Sequence, residues 1–224
     1  MLRAERLSRG DFAPGITRAA RALFPYETTL KRLLDLMLAS LGLIATMPLW
    51  LLIVIAIRMD SPGPAIFVQE RVGVRGRRFR FYKFRSMHGD AESRLLDLQT
   101  SNEVSGPVFK MRSDPRVTRV GQILRRTSLD ELPQLINILK GDMSLVGPRP
   151  PLPREVEQYR PTDMVRLTVK PGLTCLWQVS GRSTVGFDEW MEFDRQYVQN
   201  LSFWLDVRIL FRTIGAVLDM RGAY

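Results

Sequence analysis

The chain has 224 residues and a formal net charge of +10, with 33 basic side chains against 23 acidic ones. Its length fits one domain, or one domain with a membrane anchor, and its charge favours nucleic acid, an anionic membrane surface or a phosphorylated substrate as the partner. The single cysteine, Cys175, excludes an internal disulfide and a cysteine-based metal cluster, and the sequence contains no P-loop.

Residues 1–27 are polar and carry five arginines, so we predict a basic N-terminal arm. A long apolar stretch follows over residues 33–57, and about 20 apolar residues suffice to cross a bilayer. Pro48 lies near its middle, where proline removes a hydrogen bond and kinks or breaks a helix. Basic residues flank both ends, and such residues favour the cytoplasmic side. We therefore predict a re-entrant membrane helix over 28–59, broken at Pro48, with a kinked transmembrane helix as the alternative.

Residues 60–224 predict a compact, helix-dominated α/β domain. Basic and aromatic residues alternate in 77–87, which indicates a strand with one basic face. The last helix has an apolar face that suits either the core or an amphipathic position at the membrane interface. Helices are predicted near 89–99, 116–126, 130–140 and 153–166, with two more between 186 and 218 and a short strand within 167–184.

The adjacent carboxylates Asp130 and Glu131 are the first candidates for catalysis. Ser128 and Glu131 match a capping box, and acidic residues favour helix N-termini, so one interpretation is that both carboxylates only cap a helix. The other is chemical, because a carboxylate held at a helix N-terminus suits a nucleophile or a magnesium ligand. The two interpretations are compatible with each other.

Further candidates would bind an anionic substrate. Pro148 and Pro150 fix the backbone on both sides of Arg149, which favours binding of a phosphate at low entropic cost. Lys83 and Arg85 are predicted to project from the same face of one strand and to neutralise a diphosphate, although basic residues also protect exposed strands from aggregation. The remaining candidates, each with an ordinary turn or surface role as the alternative, are Asp142, Arg182 and Asp194.

The interleaved basic and aromatic residues of 77–87 also suit nucleic acid. The membrane-type segment beside them favours lipid head groups or sugar nucleotides instead. We therefore predict no nucleic-acid partner.

Four motifs give most of the chain, residues 28–224, a resemblance to a known family. They are KFRSM, TSLDELPQLINILKGDMSLVGPRP, PGLT-x-x-WQVSGR and YV-x-N-x-S-x-x-x-D. Together they resemble the bacterial sugar transferases, the monotopic phosphoglycosyl transferases. The run from GPVFK to DELPQ and the final GAY resemble the branch that initiates exopolysaccharide synthesis.

The resemblance implies transfer of a sugar-1-phosphate from a UDP-sugar, UDP-glucose or UDP-galactose, to undecaprenyl phosphate, with release of UMP. It implies Mg²⁺ as the cofactor, with Asp130 as nucleophile and metal ligand, Glu131 assisting and Arg149 contacting the nucleotide. Pro48 corresponds to the family's helix-breaking proline. The resemblance also implies a monotopic protein at the cytoplasmic face of the bacterial inner membrane, and a homodimer is compatible with it.

Some alternatives stay open. Met47 stands where some members of the family have serine, whose hydroxyl could donate to the carbonyl that loses its partner at Pro48. In this chain the hydroxyl of Thr46 is the substitute. An N-acetylated amino sugar is the alternative donor. A non-enzymatic membrane adaptor with a basic face is the alternative function, and it would make the paired carboxylates Asp130 and Glu131 dispensable caps.

Overall fold

The computed structural model describes residues 26–180 and 186–219, so the predicted arm lies outside the described residues up to residue 25. Within these ranges the chain forms a helix-dominated α/β fold with two small sheets, as predicted. The α-helices are α1 (Lys31–Asp60), α2 (Arg119–Thr127), α3 (Gln134–Lys140), α4 (Pro153–Val156), α5 (Phe187–Gln199) and α6 (Phe203–Asp219). The strands are β1 (Ile66–Val72), β2 (Arg78–Phe84), β3 (Ser144–Val146) and β4 (Gly172–Thr174).

Helix α1 continues through Pro48 without interruption. The predicted break is therefore wrong at the level of secondary structure, because proline removes one hydrogen bond while the turns on both sides keep their own. Pro48 has no N–H to donate to the Ile44 carbonyl. Thr46 Oγ1 donates instead to the Gly42 carbonyl, two residues earlier, at 2.7 Å. By length and composition, α1 is able to cross a membrane, with a mean hydropathy of 2.3 in its most apolar window.

Both halves of α1 pack on the same domain. Before Pro48, Ala39 is buried in one cluster with residues of β2 and α3. After Pro48, Ile53 and Ile57 are buried in a second cluster with residues of β2 and α2. Apolar contacts thus run along α1 on both sides of the proline.

A buried polar network fixes the first turn of α1. Lys31 Nζ forms an ion pair with Asp206 of α6 and donates to the Val146 carbonyl of β3 at 2.9 Å. Tyr197 of α5 donates to Asp206 Oδ1 at 2.8 Å. One turn later, Asp35 accepts hydrogen bonds from Ser144 and Leu145 at the start of β3. This network joins α1 to the helices that end the described chain.

Strands β1 and β2 form an antiparallel hairpin. The predicted strand in 77–87 is confirmed, since Phe79 and Phe81 point into the core while Arg78 and Arg80 are exposed. The helix predicted near 89–99 is wrong, because that segment forms only short 3-10 turns. Strands β3 and β4 pair in parallel and lie beside the site described below.

Two helices follow residue 186, as predicted. In α6 the core side is narrow, and Asp206 and Ile209 are its buried residues. The opposite side is apolar and exposed, with the large side chains Trp204, Phe211, Ile214 and Leu218. Much of the apolar face of α6 therefore lies outside the core of the described domain.

Candidate active site

The two adjacent carboxylates lie on a 3-10 turn, Leu129–Glu131, between α2 and α3. Ser128 ends α2 with a left-handed backbone, φ 59°, and its side chain makes no capping hydrogen bond. Helix α3 begins only at Gln134. The predicted capping box is therefore wrong, and Asp130 is not a helix cap.

Asp130 is a buried carboxylate, 2% exposed, that faces a cation. Lys83 of β2 places its Nζ 2.8 Å from Asp130 Oδ2 and 3.9 Å from Glu131 Oε1. Apart from this ion pair, Asp130 Oδ2 has no hydrogen-bond partner among the described residues. Burial of a charge is costly unless it is paired, so Lys83 compensates this carboxylate.

The Pro-Arg-Pro motif, residues 148–150, is fixed by hydrogen bonds as well as by its prolines. Its three successive carbonyls accept from Gly172 N at 2.9 Å, Arg166 Nη2 at 2.8 Å and Arg71 Nη1 at 3.0 Å. These donors come from three separate segments of the chain. The backbone that carries the Arg149 guanidinium is thus held from several directions.

Gly147, which precedes this motif, has no room for a side chain. A Cβ atom there would lie 2.3 Å from the Lys170 carbonyl oxygen and 2.9 Å from Gly172 N. We expect Gly147→Ala to destabilise the protein by about 3 kcal/mol or more, because backbone atoms cannot move aside as side chains do. Thermal unfolding in detergent measures this loss. Gly89→Ala is the matched control, since its Cβ meets open space, and equal melting temperatures for the two variants would contradict the expectation.

A cavity of about 370 Å³ joins the acidic turn to the Pro-Arg-Pro motif. Its lining combines the two carboxylates and four cationic side chains with apolar residues, several of them from β3, β4 and α6. The four cations are Lys83, Lys110, Arg125 and Arg149, and the apolar residues include Leu132, Leu145, Leu173, Val179, Leu210 and Val217. Such a cavity accommodates an anionic group and an apolar group side by side.

Two tryptophans support the cations on one side of the cavity. Lys110 Nζ lies 4.9 Å from the ring centroid of Trp177, and the Arg149 guanidinium lies 5.7 Å from that of Trp190. Burial, and then the positive charge of Arg149, lower the pKa of Lys110 to about 8. Arg125 lies deeper, and burial lowers its pKa while the Asp130 carboxylate opposes that shift.

Arg85 does not join Lys83 in the cavity. Strand β2 ends at Phe84, and the buried Arg85 guanidinium donates to the carbonyls of Ser61 and Pro62 at 2.7 and 2.6 Å. The prediction that Lys83 and Arg85 face the same way is wrong, because the strand ends between them. Arg85 holds the turn that follows α1.

The other predicted ligands are dispersed. Asp142 lies in the turn after α3, where its backbone N–H bonds to Asn137, and it does not line the cavity. Asp194 is buried beneath the cavity wall in an ion pair with Arg166, 3.0 Å, and burial raises its pKa to about 6. Arg182 lies outside the described residues.

Sequence reasoning missed several residues of the cavity. Lys110, Arg125 and Trp177 come from three segments that are far apart along the chain. Trp177 lies in the PGLT-x-x-WQVSGR motif, and Lys110 and Arg125 lie in the run from GPVFK to DELPQ, but these motifs did not assign a site role to any of the three. The motif containing GPVFK pointed only to a family branch, although Lys110 is its final residue.

A buried carboxylate beside a second one, in a cavity lined by four cations, is an arrangement typical of enzyme sites, and the same chain carries a helix of membrane-spanning length. The chain belongs to the bacterial sugar transferase family, whose model, described as "Bacterial sugar transferase", matches residues 26–220.

Three relatives illustrate the similarity. The chain is 50% identical over 194 residues to the galactosyl transferase CpsE of Streptococcus agalactiae serotype III (strain NEM316), covering 86% of this chain and 43% of that protein. It is 42% identical over 217 residues to the exopolysaccharide production protein ExoY of Rhizobium meliloti (strain 1021), covering 95% of each chain. It is 40% identical over 227 residues to the UDP-glucose:undecaprenyl-phosphate glucose-1-phosphate transferase of Escherichia coli (strain K12), covering 98% of this chain and 47% of that protein. The chain therefore spans less than half the length of two of these relatives and nearly all of the third.

Proposed function

We propose that this chain transfers a sugar-1-phosphate from a UDP-sugar to undecaprenyl phosphate and releases UMP, which initiates an exopolysaccharide or another glycoconjugate. The observation that carries the proposal is the buried Asp130 carboxylate, paired with Lys83, in a cavity of cations. The names of relatives support the substrates, since one is a UDP-glucose:undecaprenyl-phosphate glucose-1-phosphate transferase and another an undecaprenyl-phosphate galactose phosphotransferase. UDP-glucose and UDP-galactose are the donors we propose.

In the first step, Asp130 Oδ2 attacks the sugar-bearing phosphorus of the donor. A bond forms between this oxygen and phosphorus, and the bond from phosphorus to the bridging oxygen breaks. UMP leaves with that electron pair, and an aspartyl phosphosugar remains on Asp130. Lys83 Nζ lies 2.8 Å from Asp130 Oδ2. It is placed to pair with the carboxylate before the attack and with the attacked phosphate afterwards.

The cations of the cavity stabilise the charge that develops on the phosphate oxygens. Transfer of a phosphoryl group depends mainly on positioning and on electrostatic stabilisation. Arg149 has its backbone fixed and its guanidinium supported by an aromatic ring, so it loses little entropy on binding a phosphate. Lys83 and Arg125 also line the cavity, and the Asp130 carboxylate acts on both.

In the second step, an oxygen of undecaprenyl phosphate attacks the phosphorus of the aspartyl phosphosugar. The bond between Asp130 and phosphorus breaks, which restores the carboxylate and gives the lipid diphosphate sugar. Because the reaction has two displacement steps, UMP can leave the site before undecaprenyl phosphate enters. Glu131, 3.9 Å from Lys83 and partly exposed, is placed to orient the incoming phosphate.

Asp130 and Glu131 also fit a magnesium ion. Among the described residues there is no cluster of three or more metal-binding side chains. Mg²⁺ is, however, commonly held by one or two carboxylates together with substrate phosphates, and Asp130 and Glu131 place two adjacent carboxylates in the lining of the cavity. When bound, the ion would neutralise charge on the diphosphate. Asp130 and Glu131 are the residues that would hold it.

The packing of α1 supports a monotopic arrangement. A straight helix of this length measures about 45 Å, so an upright crossing would leave one end far from a domain on one side of the membrane. Apolar contacts before and after Pro48 favour a helix that enters the bilayer and stays close to its domain. The exposed side of α6 extends this lipid-facing surface. Basic residues at both ends of α1 favour the cytoplasmic face of the bacterial inner membrane.

The decisive test is UMP release by the protein in nanodiscs with Mg²⁺, undecaprenyl phosphate and a panel of donors. The panel contains UDP-glucose, UDP-galactose and the corresponding N-acetylated amino sugars. We expect UMP with one or few donors, and without the lipid we expect a protein mass increase of one hexose phosphate that maps to the peptide containing Asp130. A chain that binds anionic vesicles but releases no UMP from any donor would support the adaptor function instead.

A further inference from the structure

The four cations of the cavity differ in the carboxylates near them. Lys83 pairs with Asp130, and the charges of Asp130 and Asp114 favour the charged form of Arg125, which Arg149 repels. Lys110 and Arg149 have no salt bridge to a carboxylate anywhere in 26–180 or 186–219. Two neighbouring like charges in a partly buried place repel each other until an anion arrives. This pair is therefore incomplete without an anionic ligand.

Hydrogen bonds and core packing fix the loop that carries Lys110. Asn102 Oδ1 accepts from Lys110 N at 2.9 Å, and Asn102 Nδ2 donates to the Val108 carbonyl at 3.0 Å. The Val108 side chain is buried in a cluster with Trp177 and Trp190. The backbone of Lys110 is thus fixed by a side chain on one flank and by core packing on the other.

Aromatic rings hold the charged end of Lys110 in the cavity. Its Nζ lies 4.9 Å from the Trp177 centroid and 6.0 Å from the Trp190 centroid, and Arg149 lies over the same Trp190. Cation–π contacts orient a cation without neutralising it. Lys110 and Arg149 therefore present two full charges from one aromatic platform, which matches the two charges of a phosphate monoester.

We propose that Lys110, acting with Arg149, binds the phosphate of the departing UMP, whereas Lys83 at Asp130 serves the sugar-bearing phosphate. The inference rests on the proposed function. It adds Lys110 as a binding residue and assigns the two phosphates of the donor to different cations. After the first displacement the leaving phosphate is a monoester dianion. Because Lys110 and Arg149 have no carboxylate partner, binding this dianion relieves the repulsion between them. Lys110 is accordingly a substrate-binding residue.

The test is a titration of the full chain in nanodiscs with UMP, followed by tryptophan fluorescence, since Trp177 and Trp190 lie at the site. We expect Lys110→Met to weaken UMP binding about 10- to 100-fold, as is typical for loss of a charge-assisted contact. Uridine, which lacks the phosphate, should bind both proteins equally. Lys140→Met is the matched control, because Lys140 also lies over an aromatic ring, 4.6 Å from the Tyr82 centroid, but outside the cavity.

A second variant separates charge from packing. The charged and titratable groups near Lys110 are Arg149 and the buried Cys175 thiol, whose pKa burial raises, together with the carboxylates and cations across the cavity. Lys110 loses its proton as the pH rises through its lowered pKa, so UMP binding should weaken about tenfold from about pH 7 to about pH 9. Lys110→Arg should keep UMP affinity near pH 7 and lose this pH dependence, which a purely structural role would not produce.

The outcomes distinguish this inference from the proposed function. Equal UMP affinity in wild type and a folded Lys110→Met would overturn the role of Lys110 and leave the proposed function standing. Equal weakening of uridine and UMP would also overturn it, since the loss would then not concern the phosphate. If the wild-type chain binds neither UMP nor UDP-sugars, both the inference and the proposed function fail.

Discussion

Asp130→Asn is expected to reduce sugar-phosphate transfer by about 10³-fold or more, because an amide oxygen is a poor nucleophile for phosphorus. The replacement keeps the shape of the side chain at a position that is 2% exposed. It removes the negative charge that Lys83 compensates, but Lys83 retains 27% side-chain exposure and can be hydrated. We therefore expect a folded protein that does not react.

UMP release and the trapped phosphosugar are the two measurements for this variant. The control is Asp90→Asn, at an exposed carboxylate that pairs only loosely with Arg94, 3.9 Å, and it should keep full activity. Loss of release together with loss of the protein mass increase would assign the covalent step to Asp130. Full turnover by Asp130→Asn would exclude the nucleophile that we propose.

Arg166→Met should cause the largest loss of stability, about 3–5 kcal/mol, because it leaves a buried charge without its partner. Arg166 is 2% exposed and pairs with Asp194 at 3.0 Å. It also donates to Tyr159 Oη at 2.5 Å and to the Arg149 carbonyl at 2.8 Å. A loss of this size lowers the melting temperature by about 10 °C in a protein of this length, and activity should fall as well, since the Arg149 backbone loses a support.

The matched control is Arg160→Met, because Arg160 also pairs with aspartate but is 56% exposed in its side chain. Its pair with Asp188 is exposed, and the buried Asp163 keeps Arg195 as a second partner at 2.9 Å, so the melting temperature should change by only a few degrees. Adding Asp194→Leu to Arg166→Met should recover much of the loss, since an apolar pair often replaces a buried ion pair. Similar melting temperatures for Arg166→Met and Arg160→Met would contradict this account.

Residues whose function depends on local sequence were predictable. Asp130, Glu131 and Arg149 lie in short motifs of unusual composition, and the structure brings all three to one cavity. The strand of Lys83 followed from its alternation. What these residues do remains a prediction until the variants are measured.

Residues whose function depends on distant partners were not predictable. Arg85 and Asp194 looked like substrate ligands because their partners, Ser61 and Arg166, lie more than 20 residues away along the chain. Lys110 was missed for the same reason, since its aromatic platform comes from segments after residue 170. The sequence predicted a helix break at Pro48, but the helix continues through it. A proline shows which hydrogen bond is lost, whereas tertiary packing decides whether the helix ends.

The contacts of α1 with its domain have a practical consequence for protein engineering. Cutting the chain after residue 60 would uncover Phe84 and Leu135 and would leave Asp206 without its lysine. Such a truncation is expected to aggregate rather than yield a detergent-free enzyme. A water-soluble form would instead keep α1 and exchange only its outward apolar side chains for polar ones. Good positions are the large apolar residues of α1 that are more than half exposed: Leu33, Met37, Leu41, Ile44, Met47, Leu51, Leu52 and Met59.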